Sequence, residues 1–307
     1  MLSLDDIRFF TVVAGSKSLA EAARALDVSP PAVTQRLQLL EGRLKVQLVH
    51  RSPRRLVLSD EGELLMSRGL SVLADVDRIA DAVATRRNTV TGHLRIVAPL
   101  GFGRRYVAPI LAQFRSDHPE ATVSLTLSDT PHQLSVESWD VLIHIGELRD
   151  SSMIMFRLAA NDRIACASPG YLKRKGHPKS PEQLREHDCI ALRENEEDVT
   201  LWRFSRGRGR GRGADATVRI HPVMASNDGD VVRSWALAGH GVIVRSEWDT
   251  YSDIRAGRLV QVLPGWRAPP ADVIALLGER SHRAARTSRF LELLKQSLTP
   301  VPWRIRA

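Results

Sequence analysis

Cysteine is nearly absent. Cys166 and Cys189 are the only two in 307 residues, too few for a disulfide framework and in keeping with a reducing compartment. No stretch approaches eighteen uninterrupted apolar residues, so no membrane span is expected. The opening Met1-Leu-Ser-Leu-Asp-Asp-Ile has neither the basic start nor the apolar centre of a secretion signal. A soluble, cytoplasmic protein is the expectation. Catalytic signatures are missing too. There is no Gly-x-Ser-x-Gly elbow and no His-Glu-x-x-His, and Gly15-Ser-Lys-Ser is too short for a phosphate loop. The ten histidines are scattered, and His187-Asp188-Cys189 stands alone rather than at metal-ligand spacing. Neither an enzyme nor a metal site is expected.

Acidic residues are in deficit. Lysine plus arginine number 44 against 35 acids, a formal net charge of +9, with a pI near 10.2. That excess favours a polyanionic partner without choosing which. Hydrophobic residues at 43% and charged residues at 26% exclude general disorder, and the length suits two or three modules.

The positive charge is concentrated. Between residues 24 and 55, Arg24, Arg36, Arg43, Lys45, Arg51, Arg54 and Arg55 face only Asp27 and Glu41. A second cluster, from Arg203 to Arg212, is an Arg-Gly repeat. It lies between two strand patterns, which predicts a cationic hairpin loop rather than an RNA-binding arm.

The first cluster sits on periodic sequence. Leu4, Ile7, Phe10 and Val13 mark one helix. Ser18-Leu-Ala-Glu21 is a capping box opening a second, with Leu19, Ala22, Ala23 and Leu26 as its stripe. Asp27-Val28 breaks that pattern. Ser29 then caps a third helix whose first positions, Pro30 and Pro31, tolerate the missing N–H groups. Val33, Leu37, Leu40 and Leu44 form its buried side; Thr34, Gln35, Arg36 and Gln38 form the other. Two short helices with a tight turn, the second polar at its start, predict a helix-turn-helix whose second helix enters the major groove. Residues 46–51 and 55–58 are short apolar runs flanking Ser52-Pro53-Arg54, a wing with a cationic tip. From Ser59 a long helix is predicted, roughly 40 Å at 1.5 Å per residue. Its stripe of Leu65, Val72, Val76, Ile79 and Val83 calls for a second copy to cover it.

These residues resemble a known family. Phe9-Phe10-Thr-Val-Val-Ala, Ser18-Leu-Ala-Glu-Ala-Ala, Val28 through Glu41 and Leu58-Ser-Asp-Glu-Gly62 look like the DNA-binding region of LysR-type transcriptional regulators. The chain departs from the pattern at Lys45, where Gly is usual, at Leu48-Val49, where Leu-Phe is usual, and at Pro30, often Gln. The resemblance runs over essentially the whole chain. It implies DNA contacts from Ser18, Ser29, Pro30, Pro31, Thr34, Gln35, Arg36 and Gln38. Thr34, Gln35 and Arg36 would reach base edges, Arg51 would also contact DNA, and Arg54 and Arg55 on the wing would work through phosphates or the minor groove.

The remaining two-thirds alternate strand and helix patterns. Strands are predicted at 91–99, 122–128 and 139–146 with helical stretches at 103–118 and up to 138, a βαβαβ arrangement in an open, mostly parallel sheet. Further strands read at 154–158, 164–167, 189–192, 218–221 and 241–245. A late strand at 272–277 and a helix at 283–298 return to the first subdomain. Ligands in such folds bind where strands end, at a switch point or a subdomain cleft. The candidate loops carry Leu100, Gly101 and Phe102; Ser128 and Thr130; His144 and Gly146; Cys166; and Ser226, Asn227 and Asp228. Small residues there bare backbone N–H groups beside hydroxyls or amides, chemistry suited to a small anion, although helix capping uses the same residue types.

The fold class implied is α/β. A winged helix-turn-helix (1–60) leads through a linker and dimerisation helix (61–90) to an effector domain (92–307) resembling periplasmic solute-binding proteins. Its subdomains are 92–161 with 268–307, and 162–267. The resemblance further implies a homodimer or homotetramer, double-stranded DNA and RNA polymerase as partners, no cofactor, and a small-molecule effector held between the subdomains. Residues 194–204, 226–229 and 257–260 look like a branch of the family some of whose members answer to hydroxycarboxylates. Two alternatives remain: an architectural DNA-binding protein without an effector, and a redox-sensing regulator using its cysteines.

Overall fold

The computed structural model describes residues 2–51, 56–85, 90–131, 134, 136–146, 153–193, 199–206, 214–278 and 284–305. The chain divides into two compact units, Met1–Thr89 and Val90–Ala307.

The first unit begins with α1 (Leu4–Ala14), started by a full capping box. Ser3 Oγ accepts the Asp6 N–H at 3.2 Å and Asp6 Oδ2 accepts the Ser3 N–H at 3.0 Å. Then come α2 (Leu19–Ala25) and α3 (Pro30–Leu44). Between them Asp27 takes φ 54° to make the tight turn. Ser18 Oγ accepts the Glu21 N–H at 3.2 Å, but Glu21 reaches back to the Lys17 N–H rather than to the cap itself. Ser29 occupies the N-cap of α3 without a side-chain bond: Pro30 and Pro31 carry no N–H, and the Ala32 N–H goes to the Ser29 carbonyl at 3.0 Å instead. At the other end Lys45 has φ 57°, a left-handed cap in which Gly is more comfortable.

A hairpin of β1 (Val49–Arg51) and β2 (Leu56–Leu58) follows, with Val49 opposite Leu58. Glu41 Oε1 ties it to α3 by accepting the Leu48 N–H at 2.8 Å. The predicted wing is therefore present, although residues 52–55, with Arg54 and Arg55, lie outside the described residues. Next comes α4 (Asp60–Thr85), 26 residues long. At Gly62 an added Cβ would overlap the Leu48 carbonyl, and at Gly69 it would sit 2.7 Å from Ile7 Cγ2. Both glycines let α4 lie directly on the winged domain. Phe9, Phe10, Val13, Ala22, Ala23, Val33, Leu37, Leu40, Leu48 and Val49 make the core. Leu4, predicted on that face, is exposed.

The second unit holds two sheets of matching order. The first contains β3 (Gly92–Ala98), β4 (Ala121–Leu127), β5 (Val141–Ile145), β6 (Ile154–Ala159) and, from near the chain's end, β14 (Val273–Leu277). Its order is β4-β3-β5-β14-β6, parallel through the first three and antiparallel through the rest. The sheet is mostly parallel, as expected, with one exception: β14 arrives from the other subdomain and runs opposite to the other four strands. After β3 the chain forms α5 (Leu100–Phe102), a π-helical turn (Gly103–Val107) and α6 (Ala108–Asp117).

The second sheet is built from β7 (Arg163–Ala167), β8 (Cys189–Leu192), β11 (Pro222–Ser226), β12 (Ile243–Ser246) and β13 (Val260–Gln261). β11 and β8 are parallel, and β12-β7-β13 are antiparallel. Val242, at the foot of β12, joins the two sets through a parallel bridge to Cys189. Around them lie α7 (Pro169–Lys175), α8 (Gly229–Leu237) and α9 (Glu247–Arg255). A separate hairpin of β9 (Leu201–Arg206) and β10 (Ala214–Arg219) pairs Ala214 with Arg206. The strand expected at 218–221 is the end of β10, which starts earlier and stops at Arg219, and β11 follows it as a strand that was not expected. The hairpin brackets the Arg-Gly run, whose residues 207–213 are outside the described set. α10 (Ala285–Ser297) packs on the first sheet's core through Phe290 and Leu294.

Asp6 joins the helices of the first unit. Its carboxylate accepts Arg43 Nη2 at 2.7 Å, and chiefly that bond, outweighing burial, holds its pKa down at about 2. A depressed carboxyl stabilises the fold above its unfolded value and loses that contribution as pH falls through the folded value. Asp6→Asn should therefore cost about 1–2 kcal/mol at pH 7, discounted because Arg43 is half exposed. In chemical denaturation the gap between variant and wild type should close between about pH 4 and pH 2. A gap that persists at the acid end would contradict this role.

Candidate functional site

In the first unit the surface of α3 separates into three stripes. Val33, Leu37 and Leu40 are buried. Pro31, Thr34, Gln35 and Gln38 follow one another at helical spacing on an outward face; Pro31, Gln35 and Gln38 are exposed and Thr34 half-buried. The Thr34 hydroxyl donates to the Pro30 carbonyl at 3.0 Å. On the third flank Arg43 pairs with Asp6, and Arg36 donates to the Asp5 carbonyl at 3.1 Å with its guanidinium 4.6 Å over the Phe9 ring. Arg36, expected to read bases, is thus engaged with α1. The outward groups this leaves are Gln35 and Gln38, with Pro30, Pro31 and Ser29 exposed at the helix start. Ser18 is exposed and caps α2. The side chain of Arg51 is outside the described residues.

The stripe on α4 divides. Leu65 packs with Met66 on the winged domain's own core, so it is removed from the set awaiting a partner. Val72 and Ile79 are 41% and 67% exposed, and Val76 is half-buried. The Val83 side chain is outside the described residues.

In the second unit the loops after β3, β4, β5 and β11 gather most of the expected effector residues. Leu100 and Gly101 open α5, and Gly101 lies against the Trp248 ring and near Asp230. Ser128 Oγ accepts the Thr130 N–H at 3.1 Å. His144 is half-buried near the end of β5, and Gly146 donates to the Asp272 carbonyl at 3.2 Å. Ser226 Oγ accepts the Asp228 N–H at 3.1 Å, and Asp228 caps α8. Asn227 Nδ2 donates to Asp129 Oδ2 at 2.5 Å, joining the two subdomains.

Two expected residues are core instead. Phe102 has no exposed surface and packs on Tyr106, Trp248 and Trp303. Cys166 is fully buried among Ile190, Val232, Ala236, Ile243 and Leu259. Neither side chain faces the loops, because strand alternation turns Cys166 inward and α5 turns Phe102 beneath itself.

The residue the sequence analysis overlooked is Arg104. Its Nη2 lies 2.6 Å from Asp230 and 3.2 Å from Asp228, across the subdomain boundary. Asp230 also accepts Arg233 Nη2 at 3.1 Å, and Arg233 continues to Asp253 and Asp249. Asp249 pairs with Arg245, and Asp253 with Arg258. Burial would raise the Asp230 pKa, yet the bonds from Arg104 and Arg233 hold it below the ordinary carboxylate value. Arg104 is raised, mainly by Asp230. The signal in the sequence was a cation placed directly after a Gly-Phe-Gly strand end; its partners, over a hundred residues on, left no local trace.

Residues 4–63 match the bacterial regulatory helix-turn-helix protein, lysR family, and residues 87–299 match the LysR substrate binding domain. The chain belongs to the LysR family. It is a DNA-binding transcriptional regulator with an effector-binding domain, and not an enzyme. It is 34% identical over 293 residues to the HTH-type transcriptional regulator DmlR of Escherichia coli K12, covering 95% of this chain and 94% of that protein. To the transcriptional activator TtdR of the same strain it is 32% identical over 289 residues, covering 94% and 91%. Among solved structures, the full-length Vibrio cholerae virulence activator AphB superposes with a TM-score of 0.61 at 25% identity, covering 95% of this chain and 98% of that one. CrgA of Neisseria meningitidis gives 0.59 at 24%, covering 97% and 99%, a likeness of fold.

Two expectations follow. Gln35→Ala should remove about 1–3 kcal/mol of discrimination between cognate and scrambled duplexes. Arg36→Ala should leave that discrimination intact and lower folding stability by about 0.5–1 kcal/mol. Fluorescence anisotropy and thermal denaturation separate the two, and lost discrimination in Arg36→Ala would return its guanidinium to the bases. As for the thiols, burial pushes Cys166 and Cys189 up to about 12, leaving almost no thiolate at neutral pH. Neither should react with Ellman's reagent until the protein is denatured. Rapid labelling of the native chain would reopen the redox alternative.

Proposed function

We propose that this regulator binds a small anionic metabolite between the two subdomains of residues 90–307, and that the ligand alters operator binding within an assembly of at least two chains. The observation carrying this reading is Arg104, a cation from one subdomain whose carboxylate partners among the described residues are Asp228 and Asp230 of the other. An incoming carboxylate competes with those aspartates for the same guanidinium, and Asn227, Thr130 and the N–H groups of the loops add hydrogen bonds. Exchanging one partner of a cross-boundary pair changes the relative stability of subdomain arrangements, which is how binding at one site biases another. The exposed Val72 and Ile79 on α4 support the assembly, since a second copy of the helix buries them.

A thermal-shift screen of small organic acids on the full chain tests the reading, because a ligand that binds only the folded state stabilises it. For the acid found, Asn227→Leu, Thr130→Val and Arg104→Gln should each weaken binding by roughly ten- to a hundredfold in variants that melt like wild type without ligand. Unchanged affinity in all three would place the site elsewhere.

A further inference from the structure

Next to Arg104 in sequence, the π-helical turn after α5, the helix α9 and the 3₁₀ turn Pro302–Arg304 line a groove of about 460 Å³. Its walls are aromatic. Tyr106, Trp248, Tyr251 and Trp303 line it. The Tyr106 ring meets Trp248 at 90° and Trp303 at 71°, with centroids 6.1 and 5.3 Å apart. Trp248 and Trp303 are almost wholly buried, yet neither indole N–H has an acceptor among the described residues. Arg105 and Arg255 supply the charge, and no acid is among the lining residues.

These two arginines differ from their neighbours. Arg104, Arg157, Arg233, Arg245, Arg258 and Arg304 each pair with a carboxylate. Arg105 and Arg255 have none among the described residues. Arg105 donates to the Trp248 carbonyl at 3.3 Å and Arg255 to the Ile305 carbonyl at 3.3 Å, one contact each from groups carrying five N–H donors. Each also lies near a tyrosine ring, Arg105 at 5.7 Å from Tyr106 and Arg255 at 5.5 Å from Tyr251. An aromatic enclosure by itself suits a cation, but two unneutralised guanidiniums reverse that preference. The volume lies in the range of small-molecule sites.

We propose that this groove, which also draws its walls from both subdomains, is a second ligand site, separate from the one at Arg104 and Asn227, that takes an aromatic carboxylate. The ring packs against the tyrosine and tryptophan rings, and the carboxylate is held by Arg105 and Arg255.

Calorimetric titration of the full chain with three probes tests this. Phenylacetate should bind. Cyclohexylacetate, with the same charge and no aromatic ring, should bind several-fold more weakly, and 2-phenylethylammonium, with the ring and the opposite charge, should not bind. The exposed-site double variant Arg105→Gln/Arg255→Gln should weaken phenylacetate by roughly tenfold or more, while Asn227→Leu leaves it unchanged. In wild-type protein labelled with 5-fluorotryptophan, phenylacetate should move the fluorine signals of Trp248 and Trp303 and spare those of the other four tryptophans. The proposal is overturned if phenylacetate produces no heat, if cyclohexylacetate binds equally well, or if the fluorine signals that move belong to other tryptophans. It is also overturned if Asn227→Leu abolishes phenylacetate binding, because the acid would then occupy the site at Arg104 and Asn227. Failure here leaves the inter-subdomain reading standing, since that rests on different residues and different variants.

Discussion

The arrangement of the second unit depends on the buried amide of Asn161. The chain passes between the subdomains twice, from β6 into β7 and from β13 into β14, and Asn161 fastens the two passages together. Its Nδ2 donates to the Ala271 carbonyl at 2.7 Å and to Ser246 Oγ at 3.2 Å, its Oδ1 accepts the Trp248 N–H, and its own carbonyl accepts the Ala271 N–H at 3.0 Å. Leaving such groups buried and unpaired costs about 1–3 kcal/mol each. The crossing is therefore held as a single point about which two sheets of the same strand order are set, with the loops after β4 and β11 brought close enough for Asp129 and Asn227 to bond.

From that point the electrostatics follow. Four arginines (104, 233, 245 and 258) alternate with four aspartates (228, 230, 249 and 253) in one connected cluster running from the π-helical turn through α8 to α9. The inner members are closely buried, and their mutual pairing offsets their desolvation. Arg104 and Arg258 are its outer cations, 44% and 59% exposed, and of the two it is Arg104 whose partners lie in the other subdomain. A buried interior with an exchangeable cation at its edge is a physical basis for ligand sensing: the ligand competes for a contact between subdomains without dismantling either core.

Much of this was legible in the residues. Helical spacing and capping placed α1 to α4, because local hydrogen bonds and one apolar stripe decide such elements. The order of the first strands and the loops that follow them was legible for the same reason. What failed was information that resides in long-range geometry. Nothing in 272–277 reveals that β14 enters between β5 and β6 in the opposite direction. The periodicity of α3 puts Arg36 off the buried stripe but not on Phe9, since that depends on how α1 crosses α3. Cys166 near the end of β7 and Phe102 in the segment after β3 stand where ligand residues are expected, and only the packing around them shows that they face inward. Leu65 fits the α4 stripe, yet the close approach at Gly69 turns it onto its own domain. Arg104 went unnoticed because its partners lie at positions 228 and 230.

A crystal structure of the full chain with the acid identified by ligand screening tests the central claim most directly. The account predicts a ligand carboxylate within about 3 Å of the Arg104 guanidinium, a hydrogen-bonding distance, with Asp230 retaining Arg233 and giving up Arg104. Ligand density remote from Arg104, with the Arg104–Asp230 pair unbroken, would contradict it.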